Sequence, residues 1–192
     1  METSNFPTLV SQIYQSNLDL FTTKTLRDMM GENVPQATFF SMLGRLVKGK
    51  ILQRLERDKY MLMGARIHDF RIANFLYEPS YVSLEAALNF HGVLSQFPYE
   101  TASMTTRKPV TKIINGRTYR YVRIKTTLFW GYETIQRFLI AQPEKALLDL
   151  LYLKSKGLAR IHIDELDLSK LDKVRFASYS KKFPPIKGTD IL

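Results

Sequence analysis

Residues 35–63 constrain the fold of this chain more than any other stretch. Pro35 suits the first position of a helix, where no amide donor is required, and Gly49 suits its end. Between them Phe39, Phe40, Leu43, Leu46 and Val47 fall on one side of a helix at ~100° per residue, so this face needs a core to cover it. Thr38, Ser41, Arg45 and Lys48 fall on the opposite side, and Gln36 sits at the helix start, nearer the apolar side. Ile51-Leu52-Gln53-Arg54-Leu55, a charged turn at Glu56-Arg57-Asp58-Lys59, and Tyr60-Met61-Leu62-Met63 then read as a β-hairpin without a turn glycine.

Upstream lie two shorter helical patterns. Leu9, Val10, Ile13 and Tyr14 recur at helical spacing within a helix expected from about Pro7 to Asn17. A second helix begins after Thr22 or Thr23, carries Leu26, Met29 and Met30 on one side, and stops at Gly31. A short connection from Glu32 to Pro35 leads into the helix described above. Helix, helix, turn, helix, hairpin is the order of a winged helix-turn-helix. A helix fits the major groove when its outward residues are short polar groups or Arg and Lys. Thr38, Ser41, Arg45 and Lys48 meet that description, and Gln36 at the helix entrance can also reach a base despite its angle. Arg54, Arg57 and Lys59 on the hairpin would lie along the phosphate backbone and add salt-sensitive affinity. Against this stands the plainer reading, that a polar helix stripe is usually only solvated, and that winged helices also serve as protein-interaction modules.

Charge favours the first reading. The 192 residues hold 28 Lys and Arg against 18 Asp and Glu, a balance of +10 that suits an anionic partner, nucleic acid first and an acidic protein surface second. Absence of cysteine excludes a disulfide scaffold, a thiolate nucleophile and a cysteine-ligated metal centre. No run reaches the roughly 18 apolar residues of a membrane span, and Met1-Glu2-Thr3-Ser4-Asn5-Phe6-Pro7 lacks the pattern of a secretory signal, so a cytoplasmic location is expected. The character of the sequence changes near Gly64-Ala65-Arg66. The expectation is an α+β protein, with a winged helix-turn-helix over 1–66 and a mixed α+β domain over 67–192.

In the second half a helix is expected over 67–78, ended by Pro79, and a short one after Ser83 with His91 on its apolar face. Thr101 to Thr106 reads as a strand. Val110 to Ile114, Asn115-Gly116 and Arg117 to Leu128 form the strongest hairpin signal, because Asn-Gly supplies the two positive φ angles of a primed turn. A sheet face bearing Tyr119, Tyr121, Arg123 and Lys125, with Arg107 and Lys108 nearby, can hold phosphates and stack on bases. It is equally a solvated face or an edge that meets a protein partner. Pro143 opens a helix through Lys154, with Leu147, Leu150 and Leu151 as core positions. Glu144 and Asp149 do not share a helix face well enough for paired carboxylate chemistry. Asp164, Glu165 and Asp167 suit a helix cap better than a magnesium site, and the segment Lys181 to Pro185 reads as extended or loose. His68, His91 and His162 are too dispersed to suggest a metal. No catalytic residue, metal or cofactor is expected.

Three runs together resemble the AbiEi antitoxin family: Tyr81-Val82-Ser83-Leu84-Glu85-Ala86-Ala87-Leu88-Asn89-Phe90-His91-Gly92, then Thr105-Thr106-Arg107-Lys108, then Pro143-Glu144-Lys145-Ala146-Leu147-Leu148-Asp149-Leu150-Leu151-Tyr152. The resemblance implies a type IV toxin–antitoxin system of abortive infection and phage defence. It implies a repressor that binds inverted repeats of double-stranded DNA in its own promoter, and a second domain that counters a nucleotidyltransferase-like toxin without requiring a stable complex with it. Two copies could pair cooperatively on DNA. A stand-alone winged-helix regulator is the alternative, followed by a metal-dependent nuclease built near Asp164.

Overall fold

The structure is a computed structural model that describes residues 5–31, 34–160 and 163–186. Met1 to Ser4, the connection residues Glu32 and Asn33, and His162 lie outside the described residues. The protein is mixed α+β and divides into two compact units, residues 1–68 and 69–192.

The first unit begins with α1 (Phe6–Gln15), whose free amides are capped by the Asn5 side chain accepting from the Thr8 amide at 3.0 Å. Strand β1 (Leu20–Thr22) runs directly into α2 (Thr23–Met30), where the Thr22 hydroxyl accepts from the Thr25 amide at 3.0 Å. Gly31 takes φ 93° and ends that helix. Helix α3 (Gln36–Lys48) follows, with Pro35 one residue before the helix, at its cap. Strands β2 (Leu52–Glu56) and β3 (Lys59–Leu62) complete an antiparallel sheet of order β1-β3-β2. The hairpin closes without glycine because Asp58 adopts φ 62°, a conformation aspartate tolerates. Asp58 also ties the turn to the start of α2: its carbonyl accepts from the Thr23 amide at 3.0 Å and its carboxylate from the Thr23 hydroxyl at 3.1 Å.

Leu9, Ile13, Phe21, Leu26, Phe39, Leu46 and Leu52 close over one another as a core. Full burial of such a side chain contributes about 1.5–3 kcal/mol. Two expected core residues fall outside it. Tyr14 is exposed, and Phe40 is 51% exposed, because the width of the covered face stops at Val47 and Leu43.

The second unit starts with α4 (Asp69–Leu76), shorter than the 67–78 expected. It continues through β4 (Ser80–Val82), α5 (Leu84–Phe90), β5 (Glu100–Thr105), β6 (Val110–Ile114), β7 (Arg117–Arg123), β8 (Tyr132–Ile135), β9 (Phe138–Ala141), α6 (Pro143–Ser155) and α7 (Lys173–Ser180). The sheet has the order β6-β7-β5-β4-β9-β8, with β5 parallel to β7 and β4 parallel to β9. Asn115 and Gly116 take φ 52° and 76°, the primed turn that the Asn-Gly pair favours. The returning strand stops at Arg123, so Lys125 lies beyond it, ahead of a 3₁₀ turn at Thr126–Leu128.

Arg123 and Lys125 are exposed as expected, but the two tyrosines of β7 are not. Tyr119 and Tyr121 face inward under α4, each no more than 2% exposed. The Tyr121 hydroxyl donates to the Ala73 carbonyl at 2.6 Å, and its ring lies 5.0 Å from that of Tyr77. Amphipathic tyrosine rings satisfy a core position when the hydroxyl finds a partner, which outweighs a surface reading based on polarity alone. The segment after α7 is not loose either. Phe183 is buried, with its ring edge-on to Trp130 and Tyr152. Among the described residues, no helix is long and apolar enough to cross a membrane.

Candidate nucleic-acid interface

Helix α3 is held to its unit by Phe39, Leu43 and Leu46, with Met42 and Val47 half-buried against the same core, and turns its polar side outward. Gln36, Thr38, Ser41, Arg45 and Lys48 are all exposed. The helix contains no carboxylate, and its two cations lie in the last turn. Ala37 and Gly44 are also exposed, and a Cβ placed on Gly44 would meet no atom within 4 Å. The middle of the outward face is therefore low, and a partner can approach the helix backbone closely there. Arg45 does not swing freely: its guanidinium lies 4.0 Å from the centroid of the Phe6 ring.

The hairpin is less basic than its composition suggests. Arg57 is 90% exposed and reaches Asp58 only at 3.7 Å, which leaves its charge in solvent. Arg54 is exposed, with its Nε donating to the Glu56 carbonyl at 3.3 Å. Lys59 is half-buried and pairs with Glu56 at 3.0 Å, so it is withdrawn from any ligand along the hairpin.

In the second unit, the parallel register sets Thr105 beside Arg123, and the Ile124 amide donates to the Thr105 carbonyl at 2.8 Å. The chain thus leaves β5 and β7 at the same end of the sheet. Lys108, Arg123 and Lys125 are exposed there. Arg107 is committed locally, its guanidinium 4.5 Å over the Tyr77 ring and donating to the Glu78 carbonyl at 3.0 Å. Tyr121 leaves this set, as does Tyr119, because both rings belong to the core. Neither is available on that face as a platform for stacking bases.

A polar cluster that sequence reasoning missed lies inside the second unit. Residues 144–153 of α6 are buried, and the side chains of Lys145 and Asp149 have no exposure to solvent at all. Lys145 Nζ donates to the Asp149 carboxylate and to the Tyr81 hydroxyl, the latter at 2.8 Å. Asp149 Oδ2 accepts from Tyr81 at 3.0 Å and from Ser83 at 2.8 Å. The rings of Tyr81, Trp130 and Phe183 each lie 5.1–5.2 Å from the ammonium. Burial pushes the Asp149 carboxyl up and the Lys145 ammonium down, with each partner opposing the other's shift. The Tyr81 phenol is raised well above its ordinary range by burial and by the Asp149 carboxylate. In the sequence Lys145 and Asp149 stand four apart in a helix that also holds Glu144 and Lys154, so their spacing alone does not mark them as enclosed.

Glu144 and Asp167 are structurally engaged, while Asp164 and Glu165 are exposed. Glu144 is 1% exposed and accepts from the Asp172 amide at 2.8 Å. Asp167 accepts from the Ser169 amide at 3.1 Å, and side-chain and backbone bonding to Ser169 holds its carboxyl below the ordinary range. His91 is half-buried, with Nε2 2.8 Å from the Ala141 carbonyl. Among the described residues, no three His, Asp or Glu side chains gather as a metal site. No protein-family model matches the chain, and no curated protein matches it.

Proposed function

We infer that the first unit is a winged helix-turn-helix and that the protein is a sequence-specific DNA-binding repressor. The order α1, β1, α2, α3, β2, β3 with sheet order β1-β3-β2 supports that fold. In this reading α3 enters the major groove and the β2–β3 hairpin follows the backbone. One observation carries it: α3 offers an exposed face that lacks any carboxylate, is low in the middle, and ends in Arg45 and Lys48. A merely solvated helix has no need to exclude acidic residues, whereas a helix beside phosphates does. Lys108, Arg123 and Lys125 of the second unit add sequence-independent phosphate contacts.

The same reading makes the protein the antitoxin of a type IV system. It represses its own operon at inverted repeats in the cytoplasm and counters a nucleotidyltransferase-like toxin. It carries no catalytic step, metal or cofactor. The support beyond the DNA face is the family resemblance of the 81–92, 105–108 and 143–152 runs.

The test is fluorescence anisotropy of the full chain with duplex DNA from upstream of its own gene, titrated with salt. Binding should weaken as salt rises, and Lys48→Ala should lower both the affinity and the slope of log K against log salt. A duplex that is not bound even at low salt sinks the reading. Co-expression with the adjacent gene tests the antitoxin half: growth rescued by this chain supports it, and toxicity unchanged by it overturns it. Cleavage of DNA or RNA in magnesium, abolished by Asp164→Ala, would replace the whole reading with a nuclease.

A further inference from the structure

Phe40 is half exposed on α3, although its helix-wheel position borders the buried face. Its ring stands edge-on to Phe39, with centroids 5.1 Å apart and planes at 72°, and Phe39 is itself fully buried. An aromatic ring thus stands out into solvent beside the low stretch at Ala37, Ser41 and Gly44. Gln36 lies one turn before it on the same side and is also exposed.

The two cations of α3 occupy the other end of the helix. The helix is therefore divided by chemistry, with base-reading groups in the first two turns and phosphate-binding groups in the last. The N-terminal residues of a groove-bound helix are the ones that meet base edges. In the major groove the one apolar feature of a base pair is the C5 methyl of thymine, and a Gln side chain matches the N6 and N7 edge of adenine.

Resting on the reading above, we propose that Phe40 is a specificity-determining residue that packs on a thymine methyl, with Gln36 reading an adenine in the neighbouring base pair. The site recognised by each copy therefore contains an A·T step opposite the start of α3. The alternative occupant of Phe40 is a protein surface, which the experiment separates.

Duplexes selected from a random-sequence library by the full chain give the preferred site, and each thymine in it is then replaced singly by uracil, which lacks only the methyl. The expected result is an invariant thymine whose replacement weakens binding about fourfold, the worth of one buried methyl group. Phe40→Ala should bind the thymine duplex about as weakly as the wild type binds the uracil one, and should no longer distinguish the two. Phe40→Gln, a good helix former at an exposed position, guards against a folding defect and should behave in the same way. Selection of no duplex at all overturns the DNA-binding reading itself. Selection of a site at which no uracil replacement matters, or at which Phe40→Ala keeps the discrimination, overturns this inference alone. So does a Phe40→Ala protein that binds DNA normally but no longer self-associates by light scattering.

Discussion

Lys145 and Asp149 sit one turn apart on α6 as an ion pair in which neither side chain is exposed to solvent. Their attraction must offset the cost of removing two charges from water, and it does so only with the help of Tyr81 and Ser83, which satisfy the carboxylate. Removal of one partner should therefore cost far more than removal of both. Lys145→Met and Asp149→Asn are each expected to destabilise the second unit by about 3–5 kcal/mol, and Lys145→Met/Asp149→Leu by much less. Urea unfolding followed by the fluorescence of Trp130, the single tryptophan and a neighbour of the Lys145 ammonium, measures all three.

Two buried groups of this cluster give alkaline pH dependences of opposite sign. The Tyr81 phenol is raised above 10.0 in the fold, so the unfolded chain releases that proton first as the solution becomes alkaline. The unfolded state then binds fewer protons than the native one, and stability falls as pH rises above 10.0. Lys145, lowered from 10.5, acts in the opposite sense, favouring the fold as pH rises toward that value. Tyr81→Phe removes the first contribution, along with the hydroxyl's bonds to Lys145 and Asp149, whose loss lowers stability at every pH. Its urea midpoint should therefore fall less than that of the wild type between about pH 9 and pH 11, and parallel curves would show that the phenol does not titrate differently in the two states.

Gly131 makes room for this arrangement. It holds φ 73°, and a Cβ there would stand 2.9 Å from Lys145 Cγ and 3.1 Å from its Cδ. The lysine stem is pinned by its ammonium contacts and cannot retreat. Gly131→Ala should cost about 1–3 kcal/mol from overpacking, with a further penalty from the left-handed backbone. The same Trp130 transition reports it, and a variant as stable as the wild type would show that the stem moves aside.

Much of the fold is legible in the sequence because local signals and burial agree. Thr22, Gly31 and Asn115-Gly116 perform the capping and turning roles their chemistry favours. The α3 positions Thr38, Ser41, Arg45 and Lys48 are exposed, as their polarity implies. Sequence and structure part where a side chain has two natures. The hydroxyls of Tyr119 and Tyr121 suggest a surface, but both rings turn inward, and Ala73 supplies the acceptor for Tyr121. The ring of Phe40 suggests a core, yet the core ends before reaching it. The charge of Lys59 suggests a free cation, although Glu56 lies three residues before it across a tight turn. The Lys145–Asp149 pair stays hidden because the sequence does not announce that every side of α6 is covered.

On the proposed DNA-binding reading, charge accessibility ranks four cations of the first unit. Arg57 and Lys48 point into solvent, Arg45 is ordered against Phe6, and Lys59 is committed to Glu56. If phosphates are bound here, Lys48→Ala and Arg57→Ala should each reduce the salt slope by about 0.9, the value for one phosphate left unneutralised. Lys59→Ala should leave both slope and affinity nearly unchanged. Arg45→Ala should weaken binding more than its single charge predicts, because the guanidinium that packs on Phe6 disappears with it. Phe6→Leu keeps the charge and removes the stacking surface, and it should show the normal slope at reduced affinity. Anisotropy titrations of these variants at several salt concentrations check the ranking, and a Lys59→Ala effect equal to that of Lys48→Ala would show that the Glu56 pair opens on binding.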